Sequence, residues 1–92
     1  MTAVSKLLDL EGRTALVTGG SSGLGLQIAE ALGTQGARVV ISSRKADALE
    51  AAQAHLAGLG IDASWIAADN GKEEDIERLA AQALAELGRV DI

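Results

Sequence analysis

The sequence predicts an α/β fold: a parallel sheet, doubly wound, with helices on both faces. Three observations predict it. Short apolar runs at Thr14-Ala15-Leu16-Val17, Arg38-Val39-Val40-Ile41-Ser42 and Ser64-Trp65-Ile66-Ala67-Ala68 alternate with segments of helical apolar spacing. Glycines sit at the junctions between the two kinds of segment. No proline interrupts either kind. Strands that alternate with helices lead to a parallel sheet joined by right-handed crossovers.

In chain order, residues 1–12 read as a lead-in, with Glu11-Gly12 as a turn. The first strand is expected over Arg13–Thr18, its continuous apolar stretch suiting burial on both faces. The first helix is expected from Ser22 to Thr34, with Leu24, Ile28, Ala31 and Leu32 on one face and Gly33 and Gly36 bracketing its end. Arg38–Ser42 is the second strand, rich in β-branched residues. The second helix spans Lys45 to Leu59, with Leu49, Ala52, Leu56 and Leu59 as its apolar face. The third strand runs from Ser64 to Ala68 and ends at Asp69. Asn70 and Glu73 then have the spacing of a capping box, opening a third helix that reaches Leu87. Its stripe is Ile76, Leu79, Ala80, Ala83, Leu84 and Leu87. Gly88 ends it, and Arg89-Val90-Asp91-Ile92 begins a fourth strand. The predicted order is β-α-β-α-β-α-β.

Composition narrows the function classes. Ninety-two residues with 48% apolar content make one small domain, or part of a larger one, with a packed core. The apolar residues are mainly Ala, Leu, Val and Ile, with one Trp and no Phe or Tyr. A net charge of −5 and the lack of any basic stripe argue against nucleic acid as a partner. The absence of cysteine removes disulfides, thiolate metal sites and a Cys nucleophile, and is compatible with a reducing compartment. Residues 1–11 lack the apolar core of a signal peptide, and no run approaches the ~18 apolar residues of a membrane span. The expectation is a soluble, cytoplasmic protein without a membrane partner.

The most informative stretch is Thr18-Gly19-Gly20-Ser21-Ser22-Gly23-Leu24-Gly25, a glycine-rich turn between the first strand and the first helix. Glycine admits backbone angles closed to other residues and leaves room for a ligand against the backbone. The helix behind the turn offers free N–H groups and the positive end of its dipole to an anion. The expected ligand is the pyrophosphate of a dinucleotide. The spacing Gly19-x-x-x-Gly23-x-Gly25 differs from G-x-G-x-x-G, and no Gly-Lys-Ser/Thr follows to make a P-loop. A turn that is glycine-rich for packing alone is the competing reading.

A second site lies after the second strand. An NAD-specific site places a carboxylate there for the ribose 2′-hydroxyl. Here Ser43 takes that position and Arg44 follows, with no acid before Asp47. A guanidinium suits a 2′-phosphate, which a carboxylate would repel. NADP(H) is therefore expected over NAD(H). The competing reading makes Arg44 and Lys45 solvated residues, although a helix N-terminus does not favour cations.

The octapeptide Thr18–Gly25 resembles the TGxxxGxG motif of the short-chain dehydrogenase/reductase family. Leu10–Val17 is similar to the family's lead-in, and Ala68-Asp69 to the segment that carries its adenine-contacting aspartate. Arg89–Ile92 is similar to the segment before its Asn-Asn-Ala-Gly motif. The resemblance covers essentially the whole chain. It implies a Rossmann-like doubly wound sheet with strand order 3-2-1-4, the present residues 1–92 forming its N-terminal dinucleotide-binding part. It implies cofactor contacts from Gly19, Ser21, Ser22, Gly23, Leu24, Gly25, Ser43, Arg44 and Asp69. Asp69 has the alternative task of capping the third helix. The family's NADP-preferring members typically carry basic residues after the second strand, as Arg44 does. Some carry another within the glycine motif, where Ser21 and Ser22 are neutral.

The same resemblance implies hydride transfer between a nicotinamide and a small-molecule carbonyl or alcohol, including 3-oxoacyl thioesters, in a homo-oligomer. The family's catalytic Ser, Tyr and Lys, and its assisting Asn, lie beyond Ile92. There is no Tyr here, and neither Lys6, Lys45 nor Asn70 takes a catalytic position. No catalytic residue is expected in this chain. A nucleotide-binding or structural fragment completed by a partner chain is the alternative. One helix cannot cover one face of a four-stranded sheet, so that face is expected to be bare. His55 reads as a surface helix residue, Trp65 as a core or interface residue, and Glu73, Glu74 and Asp75 as first-turn acids favoured by the helix dipole, not metal ligands.

Overall fold

The structure is a computed structural model that describes residues 10–21, 23–69, 71–88 and 90–91. Its elements are β1 (Thr14–Thr18), α1 (Gly23–Thr34), β2 (Arg38–Ser43), α2 (Ala46–Gly58), β3 (Ala63–Ala67) and α3 (Glu73–Leu87). The three strands form one parallel sheet in the order β1-β2-β3, with Val17 beside Ile41 and Ile41 beside Trp65. β2 is central. Val39, Val40, Ile41 and Ser42 are all buried, as a strand covered on both faces requires.

The alternation along β2 divides the two faces. Val39 and Ile41 join Ala15 and Val17 of β1, Ala29 of α1, and Leu49, Ala52 and Leu56 of α2 in the main core. α3 packs against β2 and β3 on the other face and buries Leu79, Ala83 and Leu87. Helices therefore lie on both sides of the sheet, two on one and one on the other.

Several sequence expectations are corrected in detail. The seven-element order is not reached: Val90 and Asp91 are not in a strand, and Arg89 and Ile92 lie outside the described residues. Asp91 nevertheless docks on the edge of β1 that faces away from β2, its N–H donating to Thr14 O at 2.9 Å. Its carboxylate accepts from the Thr14 N–H at 3.0 Å.

Of the face expected in α1, Leu32 packs against the core, and Leu24, Ile28 and Ala31 do not. Ala29 is buried, Leu26 and Leu32 pack against the core, and Leu24 and Ile28 are exposed. The small residues explain this choice. Gly33 approaches Ile61 so closely that a Cβ there would lie 2.4 Å from the Ile61 side chain. The helix thus turns its narrow face inward, against Ile61 and the core.

Leu59 is exposed because α2 ends at Gly58 and Leu59 belongs to the turn beyond it. The expected capping box is displaced as well. Lys72 is the residue before α3, with no side-chain cap, and Asn70 lies outside the described residues. Asp75 in the first turn reaches back instead and accepts from the Asp69 N–H at 2.9 Å. Half of the α3 stripe, Ile76, Ala80 and Leu84, is exposed.

Candidate dinucleotide-binding site

The C-terminal ends of β1, β2 and β3 converge on one side of the sheet, as parallel strands must, and that side carries the expected site residues. The glycine turn leaves β1 after Thr18. Gly19 has φ +69° and Gly23 φ +57°, left-handed values that cost an L-residue roughly 1–2 kcal/mol. Gly25 answers a different demand. A Cβ there would sit 2.0 Å from Gly19 O, so only glycine lets the first turn of α1 close onto the start of the loop. The loop is also tied to β2, because the Gly20 N–H donates to Ser42 O at 3.1 Å. A Cβ on Gly20 would meet the Ile41 side chain at 2.8 Å.

Gly20 was not among the expected site residues, although the doubled glycine in Gly19-Gly20 was the signal available. Its task is packing against β2. The turn therefore owes its glycines both to backbone conformation and to packing. Ser21 is half-buried within the turn, Leu24 projects from the start of α1 with 71% exposure, and Ser22 lies outside the described residues.

At the end of β2, Ser43 is half-buried and its Oγ accepts from the Lys45 N–H at 3.2 Å. That local bond shapes the turn into α2 and leaves the hydroxyl at the rim of the site. Arg44 is exposed on this turn and, among the described residues, makes no ion pair. Asp69 follows β3. Its Oδ1 accepts from the Gly71 N–H at 2.8 Å, an Asx turn, and its carbonyl accepts from the Lys72 N–H at 3.0 Å. Asp69 thus organises the loop before α3 and does not cap the helix itself.

Gly19, Ser43, Arg44, Ala68 and Asp69 together line a depression of about 210 Å³. A second of about 280 Å³ adjoins it, between Arg44, Ala67, Ala68, Asp69 and Asp75. The Ala68 N–H, bonded to Ser43 O at 2.8 Å, holds the ends of β2 and β3 together beneath both. The structure therefore gathers Gly19, Ser43, Arg44 and Asp69 around one cleft, with Ser21, Gly23, Leu24 and Gly25 on the adjoining turn. A separate groove of about 710 Å³ lies along the outer edge of β3.

These residues fit a phosphate-bearing nucleotide. The turn presents its backbone with no side chain over Gly19 or Gly23, where a Cβ would meet nothing within 4 Å. The N-terminus of α1 directs positive partial charge to the same place. Arg44 adds a full positive charge on the far side of the cleft. The described residues contain no group of His, Cys, Asp and Glu able to hold a metal ion. No described helix is long and apolar enough to cross a membrane. His55 is exposed on α2, its Nε2 3.4 Å from Glu30 Oε2, and takes no part in the site.

A parallel sheet with helices on both faces and a glycine turn after β1 places the chain in the Rossmann-like class of α/β folds. The comparisons with known proteins identify the family within that class. The short chain dehydrogenase family matches residues 13–92. The chain belongs to that family.

It is 44% identical over 90 residues to human dehydrogenase/reductase SDR family member 2, mitochondrial, covering 98% of this chain and 32% of the relative. A hydroxysteroid dehydrogenase from Escherichia coli superposes with a TM-score of 0.89 at 35% identity, over 96% of this chain and 36% of that one. A metagenomic short-chain oxidoreductase in complex with NADP gives a TM-score of 0.86 at 38% identity, over 92% of this chain and 38% of that one. The chain spans about a third of the length of these relatives.

Proposed function

We propose that the chain is the dinucleotide-binding part of a single Rossmann-like domain in an NADP(H)-dependent oxidoreductase. The observation that carries the cofactor choice is Arg44. Among the described residues it has no ion-pair partner, and it stands at the rim of the cleft, directly after a serine where an NAD-specific site would have a carboxylate. The NADP complex of a relative that is 38% identical agrees with this choice.

In this reading the Gly19–Gly25 backbone and the N-terminus of α1 hold the pyrophosphate, with Ser21, Ser22 and Leu24 flanking it. Ser43 and Arg44 hold the ribose 2′-phosphate. Asp69 and the backbone beside it meet the adenine. The bound cofactor would supply a hydride acceptor or donor for a small carbonyl or alcohol substrate. The residues present bind and orient it, and none of them moves a proton at the reacting carbon. A strand completed around Asp91 would extend the sheet order to 3-2-1-4. The bond between Asp91 N–H and Thr14 O, on the edge of β1 that faces away from β2, supports that placement. The same reading gives a homo-oligomer in the cytoplasm, with neither nucleic acid nor membrane as a partner.

Titrating the full-length protein with NADPH and with NADH, before and after Arg44→Ala, tests the cofactor choice. A charge-assisted hydrogen bond is worth about 1.5–3 kcal/mol, so NADPH affinity should fall by about 10- to 150-fold while NADH affinity stays constant. Equal affinity for both cofactors in the unsubstituted protein would overturn the choice.

A further inference from the structure

β3 is the edge of the sheet, and half of its backbone groups point away from β2. The Val39 N–H donates to Asp62 O and the Ala68 N–H donates to Ser43 O. By the alternation of a parallel ladder, Ser64 and Ile66 also turn their backbone groups toward β2, and Ala63, Trp65 and Ala67 turn theirs outward. Among the described residues no further strand pairs with this row, and an edge of this kind is a template for another strand.

Two side chains stand in that row. Gln53 of α2 donates from Nε2 to Ala63 O at 2.9 Å. Arg78 of α3 donates from Nη2 to Ala67 O at 2.7 Å. They reach the edge from opposite faces of the sheet, since α2 and α3 lie on opposite sides of it. Arg78 is itself held, by Gln82 at 3.0 Å and by Asp75 at 3.8 Å. The groove between the two clamps has a volume of about 710 Å³ and runs past Ser64, Trp65 and Ile66.

We propose that Gln53 and Arg78 are edge guards that keep β3 from pairing with β3 of a second copy of this chain. The geometry selects a second copy as the excluded partner. Antiparallel pairing about Trp65 would be self-complementary: Trp65 would face Trp65 across the two-fold axis, and each Ala63 would face an Ala67. Every carbonyl in that ladder except the central one is engaged by a guard. The side chains that engage them stand at both ends of the groove in the path of an incoming strand. The half-buried Trp65 would contribute the apolar surface that makes such pairing favourable once the guards are gone.

The test compares the full-length protein with its Gln53→Leu/Arg78→Met variant by sedimentation over a range of concentrations. Both substitutions keep an apolar stem and remove the donor. The variant should associate at least tenfold more tightly than the unsubstituted chain. Adding Ala63→Pro should return association to the starting value, because it removes an outward N–H at the first residue of an edge strand. Ala63→Pro alone, followed by circular dichroism, controls for folding. Unchanged association in a variant with unchanged circular dichroism overturns the proposal. So does association that persists with Ala63→Pro, which would assign it to another apolar surface such as Leu24 and Ile28. If the double variant loses its circular dichroism, Arg78→Met alone is measured in the same way, and an increment of zero again overturns the proposal.

Discussion

The two ends of the sheet treat their charges differently. At the N-terminal ends of the strands, Arg38 lies 3.2 Å from Asp62 and 3.7 Å from Glu86, and Arg13 lies 3.9 Å from Asp91. Glu86 also accepts from the Ser64 hydroxyl at 2.9 Å, so α3 is laced to the sheet there. At the C-terminal ends, Arg44 has no such partner among the described residues, and the neighbouring polar side chains are spent on the backbone of their own loops. Charge matched within the chain reads as structure. A charge left open beside a glycine turn and a helix N-terminus reads as a place for something anionic to bind.

That contrast is best broken at Gly25, where the largest effect is expected. Gly25→Ala forces a Cβ to within 2.0 Å of Gly19 O, and the loop must move. Overpacking of this kind costs about 1–3 kcal/mol or more. Thermal unfolding should show that loss. Nucleotide titration of the full-length protein should show binding to both cofactors weakened together, unlike the selective loss expected at Arg44.

A smaller effect of opposite sign is expected one residue before Ser43. Ser42 is fully buried, and its hydroxyl has no hydrogen-bond partner among the described residues. An unsatisfied buried group costs about 1–3 kcal/mol, so Ser42→Ala should raise the denaturation midpoint by an amount corresponding to about 1 kcal/mol. A lower midpoint would show that the hydroxyl is satisfied in solution.

The smallest effect belongs to the other end. Arg38→Met removes two ion pairs whose side chains are 42–71% exposed. Exposed pairs contribute about 0.2–1 kcal/mol each at most, so unfolding should shift slightly and less so in high salt, with no change in nucleotide binding. Any change in cofactor preference at Arg38 would end the division between the two ends of the sheet.

Much of the fold was legible because it depends on local chemistry. Val39-Val40-Ile41 is a strand buried on both faces, and its unbroken apolar run said so. Leu49, Ala52 and Leu56 recur on one face of α2 and are buried together. The apolar residues of α1 were less decisive. Leu24, Ile28 and Ala31 are spaced as well as Leu26, Ala29 and Leu32, and periodicity cannot rank two stripes on one helix. The close approach of Gly33 to Ile61 ranks them, and that contact is long-range. The capping of α3 was misplaced for a similar reason. Asn70 and Glu73 have the spacing of a capping box, but the helix begins at Glu73 after Lys72, and it is Asp75 that bonds back to the Asp69 N–H.

By itself, the sequence determined the alternation of strands and helices, the glycine turn with its family motif, and the serine-arginine pair after the second strand. These follow from residue chemistry at short range: glycine's freedom, β-branching, and the sign of a charge. Only the tertiary structure decided that Gly25 is needed for contact with Gly19 and that Gly19, Ser43, Arg44 and Asp69 share one cleft. It also decided that Gln53 and Arg78 reach the same strand edge from opposite faces of the sheet. Those relations join residues from separate elements, and they exist only once parallel pairing has set the register of β1, β2 and β3.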